Sequence, residues 1–243
     1  MEKQIKVTVN NIHDIAPEKR FMVDGLTIIG QFEEKRDSPI LKQMCNTLVD
    51  GKRTGGNLSL VDISQCQVAA EFGCNTACGN YTRNVGEWGN LKDCISIKKV
   101  ILSSKTSFSW GSGGSPFSGC KSLECIKIIG SEKLSKYSDR PYDIDGVLYT
   151  EDEGKHYLIK YPANKGTEYT IPDGITDLSD KAFEDCHLTR LIMPMVPPSC
   201  HDDPFYGINK AALTIVVPKG SFDSYWMHPV FGKFNLEEMD VDV

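Results

Sequence analysis

A short phrase recurs in the second half of this chain at a fixed spacing. It consists of Phe, two further residues and Cys, followed by an aliphatic segment, and its copies start at Phe117, Phe183 and Phe205, with Ile208 replacing Cys in the third. The last two copies start 22 residues apart, and the first two start 66 residues apart, which is three times that period. A fixed period of this size indicates a solenoid, in which each repeat buries its apolar face against its neighbours.

The period also predicts how the core is built. We expect two parallel lines of buried side chains, one of Phe117, Phe183 and Phe205 and the other of Cys120, Cys186 and Ile208. Stacked strands lie about 4.8 Å apart, so three coils would separate the two cysteine sulfurs by roughly 14 Å, beyond disulfide reach. Cys120 and Cys186 are therefore predicted to be free thiols that fill the turns of their coils.

Aliphatic segments at regular intervals predict the strands of the coils. They lie at residues 58–64, 99–102, 126–128, 169–172, 191–194 and 215–218. The last three end in Pro172, Pro194 and Pro218, and because Pro lacks an amide donor it ends the strand at the same place in each coil. Residues 146–160 alternate around an acidic, Gly-containing turn and predict an inserted β-hairpin. A Gly- and Ser-rich loop is expected at residues 110–116.

Residues 1–56 are predicted to form an N-terminal cap. A short helix is expected from Pro39 to Leu48, with Ser38 as its N-cap, because Leu41, Met44, Cys45 and Leu48 would then share one face. Such a helix would shield the apolar end of the first coil from water. The repeats would then occupy residues 57–200, and residues 201–243 would hold the last repeat and a C-terminal cap.

Composition excludes several classes of function. The chain has 243 residues and a net charge of −6, with Lys and Arg scattered along it, so nucleic acid is not an expected partner. No apolar run approaches the roughly 20 residues that span a bilayer, and no transmembrane segment is predicted. The N-terminal residues lack the apolar core of a signal peptide. This fits a cytoplasmic protein, or an exported domain whose signal has been removed.

Several segments resemble one known family. The phrase Ala-Phe-x-x-Cys-x-Leu at residues 182–188, the hairpin at residues 145–149 and the segments at residues 169–175 and 218–225 are similar to the BspA-type leucine-rich repeat proteins of bacterial surfaces. Residues 60–64 resemble a general leucine-rich-repeat strand. The resemblance implies an α/β, mostly β, right-handed curved solenoid with a parallel sheet on its concave side, short helical turns and caps. It further implies export, and adhesion-like binding of proteins or glycans without catalysis.

Three clusters of Cys, Asp and His residues could suggest a chemical site. Cys74 and Cys78 could form a disulfide or half a metal site, but no second pair of matching spacing follows. A calcium loop of the EF-hand type that started at Asp143 would need Gly at residue 148 and Glu at residue 154, where the chain has Leu148 and Gly154. Asp143 and Asp145 are therefore expected in a solvated turn. The cluster at residues 200–203 has the Pro-flanked form of an ordinary loop. No cofactor, metal or catalytic residue is predicted, since the histidines at 13, 156, 187, 201 and 228 all fit surface loops.

The solvent face of the predicted sheet is the candidate binding site. In each strand the middle residue should point away from the core, which gives a column of Asp62, Ile101, Lys127, Thr170, Ile192 and Val216. Three of these six are large aliphatics, and exposed apolar patches often mark interaction sites. Coverage of the column by loops or caps is the alternative. We therefore predict a binding module for a protein or glycan, the runner-up being a structural module that self-associates through the sheet face or edge.

Overall fold

The computed structural model describes residues 5–32, 34–68, 91–104, 117–130 and 141–239, which form a mostly β structure with two α-helices. The helices are α1 (Glu34–Met44) and α2 (Phe222–Trp226), and short 3-10 helices lie at Ile12–Asp14, Pro17–Met22 and Phe231–Lys233. The strands are β1 (Lys6–Val9), β2 (Gly25–Ile28), β3 (Gln31–Phe32), β4 (Leu48–Val49), β5 (Lys52–Arg53), β6 (Leu60–Asp62), β7 (Gln67–Val68), β8 (Lys99–Ser103), β9 (Cys125–Ile129), β10 (Pro141–Ile144), β11 (Val147–Asp152), β12 (Lys155–Lys160), β13 (Glu168–Thr170), β14 (Asp177–Leu178), β15 (Arg190–Ile192), β16 (Ser199–Cys200), β17 (Thr214–Val217) and β18 (Asn235–Glu238). The expected loop at 110–116 and the pair Cys74 and Cys78 lie outside the described residues.

A parallel sheet of five strands is built from the N-terminal half, in the order β1-β2-β6-β8-β9. Its register aligns Thr8, Thr27, Asp62, Ile101 and Lys127 in one row. Burial alternates along β8 and β9, as expected for strands with one face on the core. Each of the strands predicted at 58–64, 99–102 and 126–128 is confirmed, and the predicted cap adds β1 and β2 to the same sheet.

A second parallel sheet, in the order β13-β15-β17-β18, follows in the C-terminal half. Its register aligns Thr170, Ile192, Val216 and Glu237. Pro172, Pro194 and Pro218 each follow the strand of their coil within two residues, as the sequence predicts. The equivalent residues of β13 and β15 are 22 apart, so the period read from the sequence is the spacing of these coils.

The predicted hairpin is confirmed as the antiparallel pair β11 and β12. Its turn, Glu153 and Gly154, adopts positive φ at both residues, which is the conformation that two-residue hairpins favour. A third antiparallel strand, β10, joins β11 through a similar turn at Asp145 and Gly146, and the sequence did not reveal it. On its other side β12 pairs in parallel with β14, and β14 with β16.

The hairpin contributes to both of the two hydrophobic clusters that form the core. Leu148 and Ile159 belong to the N-terminal cluster, whereas Tyr149 and Leu158 belong to the C-terminal one. All four side chains are buried, at 2% exposure or less. The inserted hairpin therefore links the two parts of the core through side chains on both of its strands.

The predicted line of three Phe residues is only partly correct. All three are buried, and the rings of Phe183 and Phe205 stack at 5.2 Å with an interplanar angle of 5°. The ring on the other side of Phe183 is Tyr161, at 5.7 Å, whereas Phe117 belongs to the N-terminal cluster. Tyr161 lies one period before Phe183, so a Tyr fills the place that a Phe was expected to occupy.

The predicted helix of the cap is present with different ends. It begins at Glu34 and ends at Met44, so Pro39 lies within it and Ser38, the expected N-cap, is buried in the helix. Leu41 and Met44 face the core as expected. Leu48 does not, because it belongs to β4 and is 54% exposed. Pro favours the first turn of a helix but does not require it, and here the helix begins five residues before Pro39.

Candidate functional site

The predicted surface column is in register, in two segments. Asp62, Ile101 and Lys127 are direct neighbours across β6, β8 and β9. Thr170, Ile192 and Val216 are direct neighbours across β13, β15 and β17. All but Val216 are partly or fully exposed. The strand phase inferred from the sequence is therefore correct, although the exposure of the column is not uniform.

The segment on the N-terminal sheet presents a mixed apolar and charged surface. Ile101 is half-buried and Lys127 is exposed. Ile129 lies two residues beyond Lys127 on the same face of β9, with 48% of its surface exposed. Asp62 is held at the end of β6, where its Oδ1 accepts hydrogen bonds from the backbone N–H and the hydroxyl of Ser64 at 3.0 and 2.7 Å. This carboxylate is already oriented before any ligand arrives.

Val216, expected to be on the exposed column, is completely buried. The Arg190 guanidinium pairs with both carboxylate oxygens of Glu237 at 3.2–3.3 Å. Arg190 is on β15 and Glu237 is on β18, so the ion pair crosses β17 on the face that Val216 occupies. For this position the prediction of an exposed residue is wrong, and its direct neighbour on β18 is Glu237 of the ion pair.

Asp143 is also misplaced by the sequence interpretation, which put it in a solvated turn. Only 4% of its side chain is exposed. Its Oδ1 accepts a hydrogen bond from the Ile128 N–H at 2.7 Å, and its Oδ2 lies 3.2 Å from Nζ of Lys127. Asp143 therefore holds β10 against β9 and fixes the orientation of the Lys127 ammonium group.

The cluster at residues 200–203 has a structural explanation. Nε2 of His201 lies 2.8 Å from Oδ1 of Asp177, a carboxylate only 3% exposed, and the His201 ring is tilted against Tyr157. Burial raises the pKa of Cys200 to about 12, and that of Cys186 likewise, so neither thiol is an activated nucleophile. Within the described residues, no group of three or more His, Cys, Asp or Glu side chains is arranged to hold a metal ion.

A groove on the turn side of the coils was not visible in the sequence. It has a volume of about 360 Å³ and runs between residues 185–189 and 207–212 of two successive coils. Lys121, whose Nζ lies 3.5 Å from Oδ2 of Asp185, lines it as well. His187 and Asn209 add polar groups to the lining. Because Lys121 and Asp185 lie on separate coils, no local motif could have indicated this groove.

Four exposed apolar side chains lie next to the contact between α2 and the segment after β15. The Tyr225 hydroxyl donates a hydrogen bond to the Pro194 carbonyl at 2.7 Å, which ties α2 to the segment after β15. Met195 and Val196 follow Pro194, and Trp226 and Met227 follow Tyr225; all four are between 57% and 76% exposed. Tyr225 and Phe231 are completely buried in the C-terminal cluster, whereas Trp226 faces solvent.

No helix in the described part of the chain is both long enough and apolar enough to cross a bilayer. No protein-family model matches the chain, and no curated protein matches it in sequence. Similar solved structures include a leucine-rich repeat protein from Eubacterium ventriosum, with 17% identity and a TM-score of 0.39 over 91% of this chain and 57% of that one. The pneumococcal vaccine antigen PcpA has 9% identity and a TM-score of 0.35 over 90% of this chain and 72% of that one. A leucine rich cell surface protein from Faecalibacterium prausnitzii has 16% identity and a TM-score of 0.34 over 91% of this chain and 61% of that one. The chain spans less than two thirds of the length of the Eubacterium ventriosum and Faecalibacterium prausnitzii proteins.

Proposed function

We propose that this chain is a non-enzymatic binding module of the BspA-like leucine-rich-repeat type. In this proposal the two parallel sheets belong to one right-handed curved solenoid, exported to the cell surface or beyond it. The ligand is a protein or a glycan, bound by the solvent face of the N-terminal sheet. The observation that carries the proposal is the row of Asp62, Ile101 and Lys127, in register and open to solvent.

The chemistry of this face suits a ligand with both apolar and polar groups. Ile101 and Ile129 offer aliphatic contact area, whose burial is the main source of affinity in most interfaces. Lys127 and Asp62 are each held by a neighbouring group, so little side-chain entropy is lost when a ligand binds. Charges at the edge of an apolar contact set its orientation more than its strength.

The test compares two identical substitutions at equivalent places. The chain and its Ile101→Asp and Ile192→Asp variants are applied to a glycan array and to immobilised purified extracellular-matrix proteins. We expect Ile101→Asp to weaken binding by orders of magnitude and Ile192→Asp, on the other sheet, to leave it largely unchanged. Urea unfolding checks that both variants remain folded.

Two outcomes would contradict the proposal. Binding that survives Ile101→Asp in a folded protein would remove the N-terminal sheet as the site, and the groove beside Asp185 would be examined next. Absence of binding to every glycan and matrix protein, together with concentration-dependent self-association in sedimentation experiments, would favour the structural module instead.

A further inference from the structure

Three cysteines meet in the N-terminal part of the core. Cys45, Cys94 and Cys120 are free thiols, buried to 3% exposure or less. The Cys94 thiol interacts with the thiols of both Cys45 and Cys120. The chain thus places three oxidisable thiols together, one of which, Cys120, the sequence predicted to be an isolated free thiol.

Cys94 and Cys120 hold the same place in consecutive coils. Each lies five residues before a member of the directly paired residues Lys99 and Cys125, on β8 and β9. The Cys120 Sγ lies 2.6 Å from the Leu91 carbonyl oxygen, and the Cys94 N–H donates to that same oxygen at 3.3 Å. Both residues therefore converge on one atom of the chain.

Cys45 stands in a different relation to this pair. It follows α1, and its N–H donates to the carbonyls of Leu41 and Lys42 in the last turn of that helix. Its own carbonyl accepts a hydrogen bond from the Ser96 N–H at 3.4 Å. It approaches Cys94 from the end of α1 and not from the equivalent position in a neighbouring coil.

We propose that Cys94 and Cys120 form a disulfide that cross-links two consecutive coils when the chain folds in the presence of a small-molecule disulfide such as oxidised glutathione. Equivalent residues of stacked coils are about 4.8 Å apart, within the Cα separation of 4.4–6.8 Å that disulfides span. This proposal rests on the proposed function in one respect, since export would bring the chain into an oxidising compartment. The closeness of Cys94 and Cys120 does not depend on export. Binding through the N-terminal sheet does not depend on it.

The reaction is two successive exchanges. The thiolate of one cysteine attacks the small disulfide, forms a mixed disulfide and expels one small thiolate. The thiolate of the other cysteine then attacks the protein sulfur of the mixed disulfide and expels the second. Two protein thiols are oxidised, one small disulfide is reduced to two thiols, and the two protons pass from the cysteines to the released thiolates.

The cross-link must form before the coils close. Burial raises the pKa of both thiols well above the ordinary value, and both are nearly inaccessible once the chain is folded. Few thiolates exist under these conditions, and exchange requires the thiolate. The experiment therefore starts from the reduced, unfolded full-length chain.

The chain is refolded from urea by dilution into a buffer of reduced and oxidised glutathione. The remaining free thiols are then blocked, and the protein is digested with trypsin. The peptides are mapped by mass spectrometry without reduction. Trypsin places Cys45, Cys94 and Cys120 in three different peptides. We expect a peptide pair joined through Cys94 and Cys120, in wild type and in Cys45→Ser alike. The urea midpoint should rise on oxidation in both proteins, and the rise should be absent in Cys94→Ser.

Recovery of Cys94 and Cys120 as blocked free thiols from the folded wild type would overturn the proposal. A dominant link between Cys45 and Cys94 would overturn it as well. Neither result depends on Cys94→Ser folding, because both are measured on the wild type. Ligand binding is measured on the reduced protein as well. If the reduced protein binds but no disulfide forms, the disulfide proposal fails and the proposed function does not.

Discussion

Asp93 and Gly119 occupy the same turn position in consecutive coils, and only one of them has room for a side chain. A Cβ on Gly119 would lie 3.2 Å from the Asp93 Cα and closer still to its carboxylate. Asp185 and Gly207 repeat the arrangement in the C-terminal half. All four residues have positive φ, between 57° and 76°. The turn therefore combines a left-handed backbone with a close approach between coils, and alternation of Asp with Gly satisfies both.

Gly119→Ala should destabilise the protein more than Gly154→Ala does. Both glycines have positive φ, 72° and 79°, which costs an alanine roughly 1–2 kcal/mol. Gly154 has open space around its Cα, whereas Gly119 faces Asp93. Forcing a methyl group into that contact should add about 1–3 kcal/mol to the loss, measured by urea unfolding.

The double variant Asp93→Gly with Gly119→Ala tests whether the Asp93 side chain causes the additional loss of unfolding free energy. Removing the Asp93 side chain should recover part of the added loss, because the carboxylate is the nearest obstacle. Equal destabilisation by Gly119→Ala and Gly154→Ala would show that the backbone conformation alone requires glycine at residue 119.

Phe183→Ala should cost about 3–5 kcal/mol of unfolding free energy. The ring is completely buried between Tyr161 and Phe205, so its removal leaves a cavity inside the C-terminal cluster. Tyr206→Ala is the control, since this ring is 53% exposed, and it should cost about 1 kcal/mol or less. A small loss for Phe183→Ala, similar to the control, would contradict the assignment of Phe183 to the stacked core.

The strand positions were predictable because a fixed period and alternating burial act locally along the chain. Leu191 and Ile215 are buried and Ile192 is partly exposed, as period-two alternation requires. The copy of the phrase that ends in Cys94 was missed because Leu91 replaces its aromatic residue. Tyr161 was missed for the related reason that Asn164 stands where Cys would mark the phrase.

The candidate site was less predictable than the fold because its exposure depends on contacts between distant segments. Val216 is buried beside a pairing of Arg190 with Glu237, which are 47 residues apart. Asp143 is itself part of β10, a strand that no periodicity indicated, and its side chain is buried there. Burial of a carboxylate is rare without a partner, and nothing in the local sequence identified Lys127 and the Ile128 N–H as the partners.

Glu184→Gln should cost about 3–5 kcal/mol, because it leaves a buried ammonium group without its counter-charge. Nζ of Lys160 lies 3.3 Å from Oε2 of Glu184 and 3.1 Å from the Lys181 carbonyl oxygen, and the two charged side chains are 2% and 7% exposed. The Ser118 hydroxyl donates to the other carboxylate oxygen at 2.9 Å. Urea unfolding of the variant gives the loss directly.

The matched double variant, Lys160→Met with Glu184→Leu, should be more stable than Glu184→Gln alone. Replacing both charges removes the desolvation cost that the unpaired lysine would carry. If the double variant is less stable than Glu184→Gln, the ion pair with its hydrogen bonds contributes net stability. The prediction that an unpaired buried lysine is the costlier change would then be wrong.

Stability should fall as pH rises above about 10, with part of the fall due to Tyr149 and Tyr169. Burial raises the pKa of the Tyr149 hydroxyl far above its ordinary value of 10.0, and burial raises that of Tyr169 to about 12. The two hydroxyls are hydrogen-bonded to each other. Between pH 10 and 12 the unfolded chain releases these protons while the folded chain retains them, so deprotonation favours unfolding. Their contribution is complete below pH 10 and is lost as pH rises towards 12.

Tyr149→Phe provides the test of this assignment. It removes one hydroxyl whose pKa is raised, so the urea midpoint of the variant should decline less steeply between pH 10 and 12 than that of wild type. Tyr206→Phe, which alters a ring that is 53% exposed, is the control for loss of a tyrosine hydroxyl. Tyr149→Phe also removes the partner of the Tyr169 hydroxyl, so its midpoint at pH 7 should be lower, and the comparison is made on the slope with pH. A slope identical to wild type would assign the alkaline loss to other buried groups, with Cys186, whose pKa burial raises to about 12, as the next residue to replace.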